Sequence, residues 1–424
     1  MDSSAQRQLG LLFRSYRTER HLTQRQLAKL SGVSVRTIRD IELGTSQQPR
    51  RETVRLMSNA LGLSSEEHTR LEAASGRRAT TDDLRFVFAT SALPPPSPID
   101  ALVGRRAELA ALAGSLRGGG DRLVTIAGLS GVGKTRLALE VAVALHDMDG
   151  LAVLWSSPDS LHPTSVRASA QLGAALRAGL DALRGHGAGT LAEVIADQPA
   201  LVVLDAWSAH RPELVLALLN DCPRVRVLIT APDPLRLPGE RVFPLGPLTV
   251  PSRRQTDPAE LARVPSVELL TRYARQVRPG FRLTDANLPA VTGLARGADG
   301  IPAVLASVAQ WLAVYEPEAL CEQMNDDPFG FFEGLRERIT ARLDTLDGAE
   351  RLLLERLSVL DSAWSVTDAV SATGLPPSTC ARLVRALLVT GLVRPASAEG
   401  RSRFGVLSLV RSLRCAEPAT VGAA

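Results

Sequence analysis

The sequence predicts a multidomain protein of the α and α/β classes, and three observations carry that prediction. The 424 residues are enough for several domains of about 150 residues each, with 45% apolar residues for their cores. Strand and helix patterns alternate over residues 99–248, around a glycine-rich loop. Helical spacing of apolar residues dominates the segments before and after this region. We therefore expect an all-α helix-turn-helix head, a doubly wound P-loop α/β domain, a helical domain and a winged-helix domain.

The patterns also give domain boundaries. We expect the head at 1–75, a Pro-rich linker at 76–98, the α/β domain at 99–248, the helical domain at 249–330 and the winged-helix domain at 331–418. The run Leu-Pro-Pro-Pro-Ser-Pro at 93–98 favours polyproline II backbone, so the linker is predicted to be a semi-rigid spacer. The sequence does not assign the apolar segment Phe86-Val87-Phe88 to either neighbour.

Positive charge is concentrated near the N-terminus. Residues 1–60 hold eleven Arg or Lys and five Asp or Glu, a net charge of +6, whereas the whole chain carries +4. Such a segment has the electrostatic footprint of a nucleic-acid contact. An arginine-rich composition on a solvated surface gives the same count, so the residue pattern has to decide.

No segment is predicted to cross a membrane or to direct export. The longest apolar stretch, residues 301–315, contains Pro302, Ser307 and Gln310 and is too short for a bilayer, and the N-terminus has no apolar signal core. The four cysteines are scattered without a C-x-x-C pair, which indicates neither a disulfide framework nor a zinc site. We expect a cytoplasmic protein.

The head has the signals of consecutive short helices. The first helix is marked by apolar residues at helical spacing: Leu9, Leu12, Phe13 and Tyr16. A capping box, Thr23-Gln24-Arg25-Gln26, begins the second. Gly32 allows the turn, and Ser34 caps a third helix that ends at Gly44. A fourth helix opens at Arg50, and a fifth is expected over 64–74.

The third helix has the residue types that reach base edges in a major groove. With its apolar residues inward, helical periodicity leaves Val35, Arg36, Thr37, Arg39 and Asp40 outward. Arg36 and Arg39 are the expected base readers, because a guanidinium can bond two acceptors of guanine.

The head resembles the Cro/C1-type (Xre) repressor family in the run Leu22-Thr23-Gln24-x-x-Leu27-Ala28-x-x-Ser31-Gly32-Val33-Ser34-x-x-Thr37-Ile38-x-x-Ile41-Glu42-x-Gly44. The resemblance implies that Gln24 clamps the DNA backbone and a neighbouring base. It also places the start of the fourth helix near phosphate. The residues expected to contact a double-stranded DNA operator are Gln24, Ser34, Val35, Arg36, Thr37, Arg39, Arg50 and Arg51. A helical module that contacts another protein is the alternative.

Residues 128–135 form a complete G-x-x-x-x-G-K-[ST] phosphate loop, Gly128-Leu129-Ser130-Gly131-Val132-Gly133-Lys134-Thr135. A buried-strand pattern precedes it at 123–127 and a helical pattern follows at 136–142, which is the context that the motif requires. Loop amides can cradle phosphate oxygens, Lys134 can reach the β- and γ-phosphates, and Thr135 can ligate Mg²⁺. The cofactor-binding residues expected in the loop are Gly128, Ser130, Gly131, Val132, Gly133, Lys134 and Thr135. A glycine-rich turn that only matches the pattern is the alternative.

An aspartate follows a second buried strand. Residues 200–204 are apolar and are followed by Asp205. A carboxylate at the carboxyl end of an adjacent parallel strand can hold the water shell of Mg²⁺. Asp205 is therefore the candidate catalytic residue and, with Thr135, the candidate metal ligand. Strand patterns at 225–230 and 240–245 complete the alternation.

The region from about 99 to 415 resembles the NB-ARC module of STAND-class ATPases. Besides the loop and Asp205, it carries Val103-Gly104-Arg105-x-x-Glu108-Leu109 and Asp299-Gly300-Ile301-Pro302-Ala303-Val304-Leu305, the latter similar to a G-L-P-L-A-L turn. The resemblance implies that Pro302 packs on the adenine of ATP or ADP and that Val103 and Arg105 flank the same base. It also implies a winged-helix lid at 331–418. A second DNA-binding head is the alternative there, which the lack of an outward arginine row disfavours.

Three departures from the family pattern bear on catalysis. Ala206 follows Asp205 where members often have a second acid that prepares the attacking water. Ala231-Pro232 follows Thr230 where members continue to an arginine that senses the γ-phosphate. Val406-Leu407-Ser408 stands where plant-type members carry Met-His-Asp. Nucleotide binding survives such losses better than turnover does, so we expect at most a slow ATPase.

The combined expectation is a transcriptional regulator. ATP or ADP occupancy would set whether its DNA-binding heads are arranged for paired operator half-sites, with a homo-oligomer as the active form. An ATP-hydrolysing enzyme is the main alternative, although no acceptor-substrate site or second catalytic constellation is recognisable. The third candidate is a nucleotide-dependent oligomerising scaffold of a signalling or defence system.

Overall fold

The computed structural model describes most of the 424-residue chain. The described residues are 3–45, 51–63, 81–90, 93–117, 120–157, 189–207, 212–252, 255–332, 334–360, 363–398 and 401–415. The chain divides into two compact units. One comprises Met1–Pro96, Leu145–Val203 and Ala209–Val227, and the other Ser97–Ala144, Leu204–Ser208 and Leu228–Ala424.

The N-terminal region is all-helical, as predicted. Its helices are α1 (Ser3–Glu19), α2 (Gln24–Ser31), α3 (Val35–Glu42) and α4 (Arg51–Ala60). The capping box is present, because the Thr23 hydroxyl accepts from the Gln26 amide and the Gln26 side chain accepts from the Thr23 amide. Gly32 has a φ of 71°, which the turn between α2 and α3 needs. The fifth helix expected at 64–74 lies outside the described residues.

One apolar core holds these helices together. Its buried side chains are Leu9, Phe13, Tyr16, Leu27, Val33, Ile38, Ile41, Met57 and Leu61. Gly10 lets α1 approach α3 closely, since a Cβ there would lie 2.4 Å from the carbonyl oxygen of Ile41. The residues with helical periodicity in the sequence are thus the ones that exclude water.

A helix replaces much of the predicted spacer. Helix α5 (Thr81–Thr90) buries Phe88, and Arg85 Nε donates to the carbonyl oxygen of Glu193. Leu93 is buried as well, and its carbonyl oxygen accepts from the Val153 amide. The predicted linker at 76–98 therefore contains a helix at residues 81–90, and Phe88, in the segment that the sequence assigned to neither neighbour, is buried in the first unit.

The α/β region alternates helices and strands in the predicted order. Its elements are α6 (Arg106–Arg117), β1 (Leu123–Ala127), α7 (Lys134–Asp149), β2 (Ala152–Ser156), α8 (Gly189–Ile195), β3 (Ala200–Leu204), α9 (Glu213–Asp221), β4 (Val225–Ala231) and β5 (Glu240–Pro244). The sheet has the order β2-β3-β4-β1-β5, with β1 and β5 parallel and Leu123 opposite Glu240. Every residue of β1 and β3 is buried, as in sheets covered on both faces.

The strand order corrects one expectation. Strand β4 lies between β1 and β3, so the strand that ends before Asp205 is not adjacent to the strand that ends before the phosphate loop. Sequence patterns give the order of strands along the chain and not their order across the sheet. The residues at the end of β4 therefore lie between the two motifs.

A helical region follows the sheet. Its helices are α10 (Pro258–Ala262), α11 (Pro265–Val277), α12 (Leu288–Gly297), α13 (Pro302–Trp311) and α14 (Pro317–Asp326). Helix α11 packs on α13, and α12 packs on α14. A Cβ at Gly293 would lie 2.6 Å from Cys321 Sγ, so the missing side chain allows α12 and α14 to approach closely.

The C-terminal region has the element order of a winged helix. It consists of α15 (Leu335–Asp344), α16 (Gly348–Ser358), α17 (Val366–Thr373), α18 (Pro377–Thr390), β6 (Val393–Ala398), β7 (Arg401–Val406) and α19 (Ser408–Cys415). Strands β6 and β7 form the predicted antiparallel wing. Trp364 pairs with Phe404 through backbone bonds and ring contact, which ties the wing to the helices. Within the described parts of the chain, no helix has the length and apolarity to span a bilayer.

Candidate phosphate-binding site and helix-turn-helix surface

The phosphate loop has a backbone that requires its glycines. Gly128, Gly131 and Gly133 have φ values of 147°, 82° and 97°. At Gly128 a Cβ would also lie 2.5 Å from the carbonyl oxygen of Leu245, next to the end of β5. Helix α7 begins directly after the loop, at Lys134. The arrangement presents free amides of a helix N-terminus beside a tight turn, which is the geometry that binds anions.

Lys134 is a largely buried cation that faces neutral acceptors. Its ammonium donates to the carbonyl oxygens of Gly128 and Leu129 at 2.8 and 3.0 Å. Among the described residues, no carboxylate lies within ion-pair distance of its Nζ. Burial and, to a smaller extent, the positive charge of Arg342 lower the pKa of Lys134 to about 8, against the opposing effects of Asp205 and Asp233. An anion beside Lys134 would stabilise its charged form.

Asp205 and Thr135 meet across the end of the sheet. The carboxylate of Asp205 is buried, and its Oδ1 accepts from Thr135 Oγ1 at 2.7 Å. The residues lie 70 positions apart in sequence. The structure therefore brings together the hydroxyl and the carboxylate that the sequence analysis selected as metal ligands.

Thr230 also bonds Asp205, and no sequence signal identified it as a site residue. Its hydroxyl donates to Asp205 Oδ1 at 2.6 Å and accepts from the Ala206 amide at 2.8 Å. Thr230 lies near the end of β4, which places its side chain between the two motifs. A hydroxyl residue near a strand end was the only available signal, and it has this meaning only once the strand order is known.

Ala206 adopts a backbone conformation that side chains usually avoid. Its φ is 48°, in the left-handed region, directly after the buried Asp205. The Trp207 amide then donates to the Thr230 carbonyl oxygen at 2.8 Å. These bonds hold the turn after β3 against the end of β4.

Arg105 is a buried brace of the phosphate loop. It donates to the Gly246 carbonyl oxygen at 2.6 Å, to the Val132 carbonyl oxygen at 3.3 Å and to Glu108 Oε1 at 3.0 Å. Burial lowers its pKa, and Glu108 opposes that effect. Val103 is buried as well. Arg105 thus joins the loop to the segment that follows β5.

The Pro302 turn also lies against the loop. The Ala303 amide donates to the Gly131 carbonyl oxygen at 3.2 Å, and Pro302 Cγ lies 3.9 Å from the Cβ position of Gly133. Val132 is fully buried in this region, whereas Ser130 and Thr135 are exposed. The elements that were expected around one nucleotide therefore surround one loop.

Asp299 connects the same turn to the C-terminal region. Its Oδ2 accepts from the Leu409 amide at 2.8 Å, near the start of α19, and Arg394 lies 4.0 Å from Oδ1. Complete burial raises the pKa of Asp299, which Arg394 and the amides of α19 oppose. Its φ of 52° is in the left-handed region. This turn is thus fixed both to the loop and to the last helix.

An arginine from the C-terminal region reaches the loop after β4. Arg342 of α15 makes a bidentate pair with Asp233, with both bonds at 2.7 Å, and donates to the Pro232 carbonyl oxygen at 3.0 Å. Arg342 is 8% exposed. No sequence signal predicts an arginine beside Pro232, because Arg342 lies 110 residues beyond the loop that it contacts.

The helix-turn-helix surface presents the predicted side chains to differing degrees. Val35, Arg36 and Arg39 are exposed on α3, and Thr37 is half-buried. Ser34 is exposed, and its hydroxyl caps α3 by accepting from the Thr37 amide at 3.1 Å.

Gln24 is held by a buried ion pair. Its Nε2 donates to Glu42 Oε2 at 2.8 Å, while Arg17 donates to both oxygens of that carboxylate at 2.6 and 2.9 Å. The network fixes the start of α2 against the end of α3. Arg50 lies outside the described residues, and the structure describes only the backbone of Arg51, at the start of α4.

Two segments match known domain families. Residues 13–68 match the helix-turn-helix family, which confirms the predicted head. Residues 352–397 match the IclR helix-turn-helix domain, over α16 to α18 and the start of the wing. Helix α18 exposes Arg382 and Arg385, so the statement that the C-terminal helices lack outward arginines is wrong. Side-chain direction could not be assigned before the packing of α18 was known.

Several curated proteins are similar to this chain. A protein of Mycobacterium tuberculosis that is named as an HTH-type transcriptional regulator is 29% identical over 313 residues, covering 69% of this chain and 33% of that protein. A protein of Mycobacterium bovis with the same description gives the same values. An uncharacterized protein of Mycobacterium tuberculosis is 28% identical over 298 residues, covering 65% of this chain and 69% of that protein. The chain spans one third of the length of the named regulators.

Solved structures give a weaker likeness. A STAND protein with a tetratricopeptide repeat sensor from Pyrococcus horikoshii is 16% identical, with a TM-score of 0.31 over 76% of this chain and 43% of that one. A Walker-type ATPase of Pyrococcus abyssi is 16% identical, with a TM-score of 0.37 over 76% and 98%. Scores this low do not establish a shared overall fold, so the α/β class rests on the sheet and loop described above.

The contact between Thr230 and Asp205 can be tested by removing one hydroxyl. Thr230→Val keeps the side-chain shape but leaves the Ala206 amide and Asp205 without that partner. We expect a loss of about 1–3 kcal/mol in the free energy of unfolding of the α/β region. Thermal unfolding followed by tryptophan fluorescence measures it, because the buried Trp207 is bonded to Thr230. Thr230→Ser keeps the hydroxyl and is the control. Equal midpoints for Thr230→Val and wild type would contradict the assignment.

Proposed function

We propose that this chain is a sequence-specific DNA-binding transcriptional regulator whose activity is switched by an adenine nucleotide in an NB-ARC-type module. One observation carries the proposal: a helix-turn-helix domain shares its chain with a phosphate loop in which the largely buried Lys134 bonds two carbonyl oxygens and, among the described residues, forms no ion pair. A buried cation of this kind is costly without an anion. A nucleotide phosphate is the anion that the loop geometry suits.

The residues around the loop fit a magnesium nucleotide. Backbone amides over 128–135 would hold the phosphates, with Lys134 near the β- and γ-positions. Thr135 and Asp205 would hold Mg²⁺, which prefers hard oxygen ligands of the kind that these two side chains supply together. The bound nucleotide would add negative charge to the loop, and this charge would distinguish the two states of the switch.

The pocket wall for the base would come from Val103, Arg105 and Pro302. The hydrogen bonds of Arg105 go to the protein itself, namely to Glu108 and to the carbonyl oxygens of Val132 and Gly246. Its role in the proposal is therefore to hold the loop and the base-facing wall in place, and the stacking on adenine would fall to Val103 and Pro302. This arrangement favours a pocket whose shape depends on the Pro302 turn.

Turnover is the weak part of the module. Ala206 carries no acid that could orient a water molecule, and its left-handed backbone is fixed by the turn after β3. Asp205, Thr135 and Lys134 remain to bind the nucleotide. We propose a switch that holds ATP or ADP for long periods.

The head would carry the DNA contact. Arg36 and Arg39 are exposed on α3 and suit base edges. Ser34, Val35 and Thr37 lie at the start of α3, and Gln24 lies at the start of α2, beside the end of α3. Arg50 and Arg51, near the start of α4, suit phosphate. Paired operator half-sites require two heads, so a homo-oligomer is the proposed active form.

The winged-helix region would act as a lid on the nucleotide module. Gly391, just after α18, lies so close to the phosphate loop that a Cβ there would be 2.7 Å from the Leu129 amide nitrogen. Arg342 and Asp299 add further contacts from this side. A DNA contact by α18 is the second candidate, which its exposed Arg382 and Arg385 favour.

The DNA proposal predicts different effects for two arginines. On an operator selected from a random duplex library, Arg36→Ala should reduce discrimination at one base pair by about 1–3 kcal/mol, because a bidentate contact is lost. Arg51→Ala should weaken binding to all DNA alike and flatten the salt dependence by about one unit of slope. Electrophoretic titration at several salt concentrations measures both. Equal losses on operator and random DNA would remove Arg36 from base reading, and no binding at all would favour the scaffold.

The nucleotide proposal predicts proton uptake near pH 8. The pKa of Lys134 is lowered to about 8 in the free protein, so about half of these side chains are neutral at that pH. Phosphate raises the pKa of Lys134, so this side chain takes up protons on binding at pH 8 and none at pH 6, and its contribution to affinity falls as pH rises through 8. Calorimetry with ATP and ADP in buffers of different ionisation enthalpy measures the uptake.

Lys134→Ala is the matched variant for this measurement. It should abolish binding of both nucleotides while the head stays folded, which circular dichroism and DNA binding check. Absence of binding heat for a folded wild-type protein with either nucleotide would sink the switch proposal.

The switch proposal also predicts slow hydrolysis. Purified protein should release phosphate well below ~1 s⁻¹, the low end of ordinary enzymes, because no acid follows Asp205. A coupled phosphate assay measures the rate, with Lys134→Ala as the control for contaminating ATPases. Faster release that disappears in Lys134→Ala would favour the ATP-hydrolysing enzyme.

A further inference from the structure

Arg342 lies where two chain segments converge on the phosphate loop. On one side its Nη atoms bind Asp233 and the Pro232 carbonyl oxygen, just beyond the end of β4. That strand carries Thr230, which bonds Asp205, which in turn bonds Thr135 of the loop. A short path of contacts therefore connects the guanidinium with the loop through β4.

A second path of contacts reaches the loop through the end of α18. Arg342 Nε donates to the Thr390 carbonyl oxygen at 3.4 Å. The next residue, Gly391, abuts Leu129 of the loop, and the Leu129 carbonyl oxygen accepts from Lys134 Nζ at 3.0 Å. The charges of Arg342 and Lys134 also act on each other, since the guanidinium lowers the pKa of Lys134. The two cations thus face one region.

We propose that Arg342 recognises the γ-phosphate of a bound nucleoside triphosphate, exchanging its pair with Asp233 for that phosphate. The inference rests on the proposed nucleotide function and adds the residue that distinguishes ATP from ADP. The loop after β4 has Pro232 where an arginine would serve this purpose, and Arg342 brings a guanidinium to the same loop from α15. Arginine suits the task, because its planar fork binds phosphate oxygens bidentately.

The exchange is chemically balanced. Asp233 is 56% exposed in its side chain, so its carboxylate can return to water when Arg342 leaves it. Arg342 is 8% exposed in its side chain and needs an anionic partner in either state. With ADP, Asp233 is that partner. With ATP, the γ-phosphate becomes the partner, and α15 and the winged-helix region then carry information about which nucleotide is bound.

The test compares nucleotide affinities across four variants. Calorimetry with ADP and with a non-hydrolysable ATP analogue is carried out on full-length wild type, Arg342→Gln, Arg342→Lys, Asp233→Asn and Arg351→Gln. Arg351 is the matched control, because it is an exposed arginine nearby that pairs with Asp344. Hydrogen exchange over residues 335–344 gives a second readout of the state of α15.

We expect Arg342→Gln to weaken binding of the ATP analogue by about tenfold or more, because one charge-assisted hydrogen bond to the γ-phosphate is lost. The affinity for ADP should be nearly unchanged. Arg342→Lys should retain part of the preference. Asp233→Asn should strengthen binding of the analogue several-fold, because the carboxylate that competes for the guanidinium is gone. Arg351→Gln should change neither affinity. Protection of residues 335–344 should differ between the two nucleotides in wild type and not in Arg342→Gln.

Four outcomes would overturn the inference. Equal losses of both nucleotides in Arg342→Gln would make the residue a structural brace. An unchanged analogue affinity in Asp233→Asn would contradict the exchange, and this variant decides the matter if Arg342→Gln does not fold, because Asp233 is exposed. If wild type binds neither nucleotide, the proposed function itself fails. If wild type binds both nucleotides and Arg342→Gln leaves the ratio of their affinities unaltered, only the proposed role of Arg342 fails.

Discussion

The buried carboxylate of Asp205 is the contact on which the phosphate-binding region depends. It accepts hydrogen bonds from Thr135, at the start of α7, and from Thr230, on β4. A buried carboxylate without partners is unstable, so these hydroxyls fix the ends of three elements relative to one another. The turn after β3 follows from the same contact, since the Ala206 amide donates to Thr230. Positioning a ligand between fixed strand ends and a helix N-terminus needs such rigidity.

Charge around the loop explains how the C-terminal region is attached. Lys134 is a partly buried cation and Arg342 a buried one, and Asp233 forms an ion pair with Arg342 while acting on Lys134 only at longer range. Asp299 is a buried carboxylate that the N-terminal amides of α19 and Arg394 partly balance. Each of these groups is costly to bury alone. Arg342 and Asp299 are paired across boundaries between elements distant in sequence, whereas Lys134 bonds carbonyl oxygens of its own loop. The contacts between the C-terminal region and the loop are therefore sensitive to any new charge in the loop.

The head, like the phosphate-loop region, is held together by one buried carboxylate. Glu42 is buried at the end of α3 and is bound by Arg17 and Gln24, so one carboxylate sets the position of α1 and α2 against α3. Gln24 is therefore part of the scaffold as well as a predicted DNA contact. The rigid placement of α3 leaves Arg36 and Arg39 exposed, and a fixed helix loses little entropy when these side chains meet a groove. The IclR-type match at 352–397 adds a second helix with two exposed arginines, for which the lid contacts favour a structural role.

The sequence by itself determined the elements whose signals are local. Apolar periodicity, the capping box at Thr23, the glycines of the phosphate loop and the hairpin at 393–406 each follow from neighbouring residues, because propensity, caps and positive φ act over a few positions. Only the tertiary structure decided the order of strands, the burial of Phe88 and the partners of Gln24 and Arg105. The roles of Thr230 and Arg342 belong to the same group, because each depends on contacts between residues 25 to 110 positions apart. No local pattern encodes which of many arginines will meet a given carboxylate, since that choice is made by the packing of the whole module.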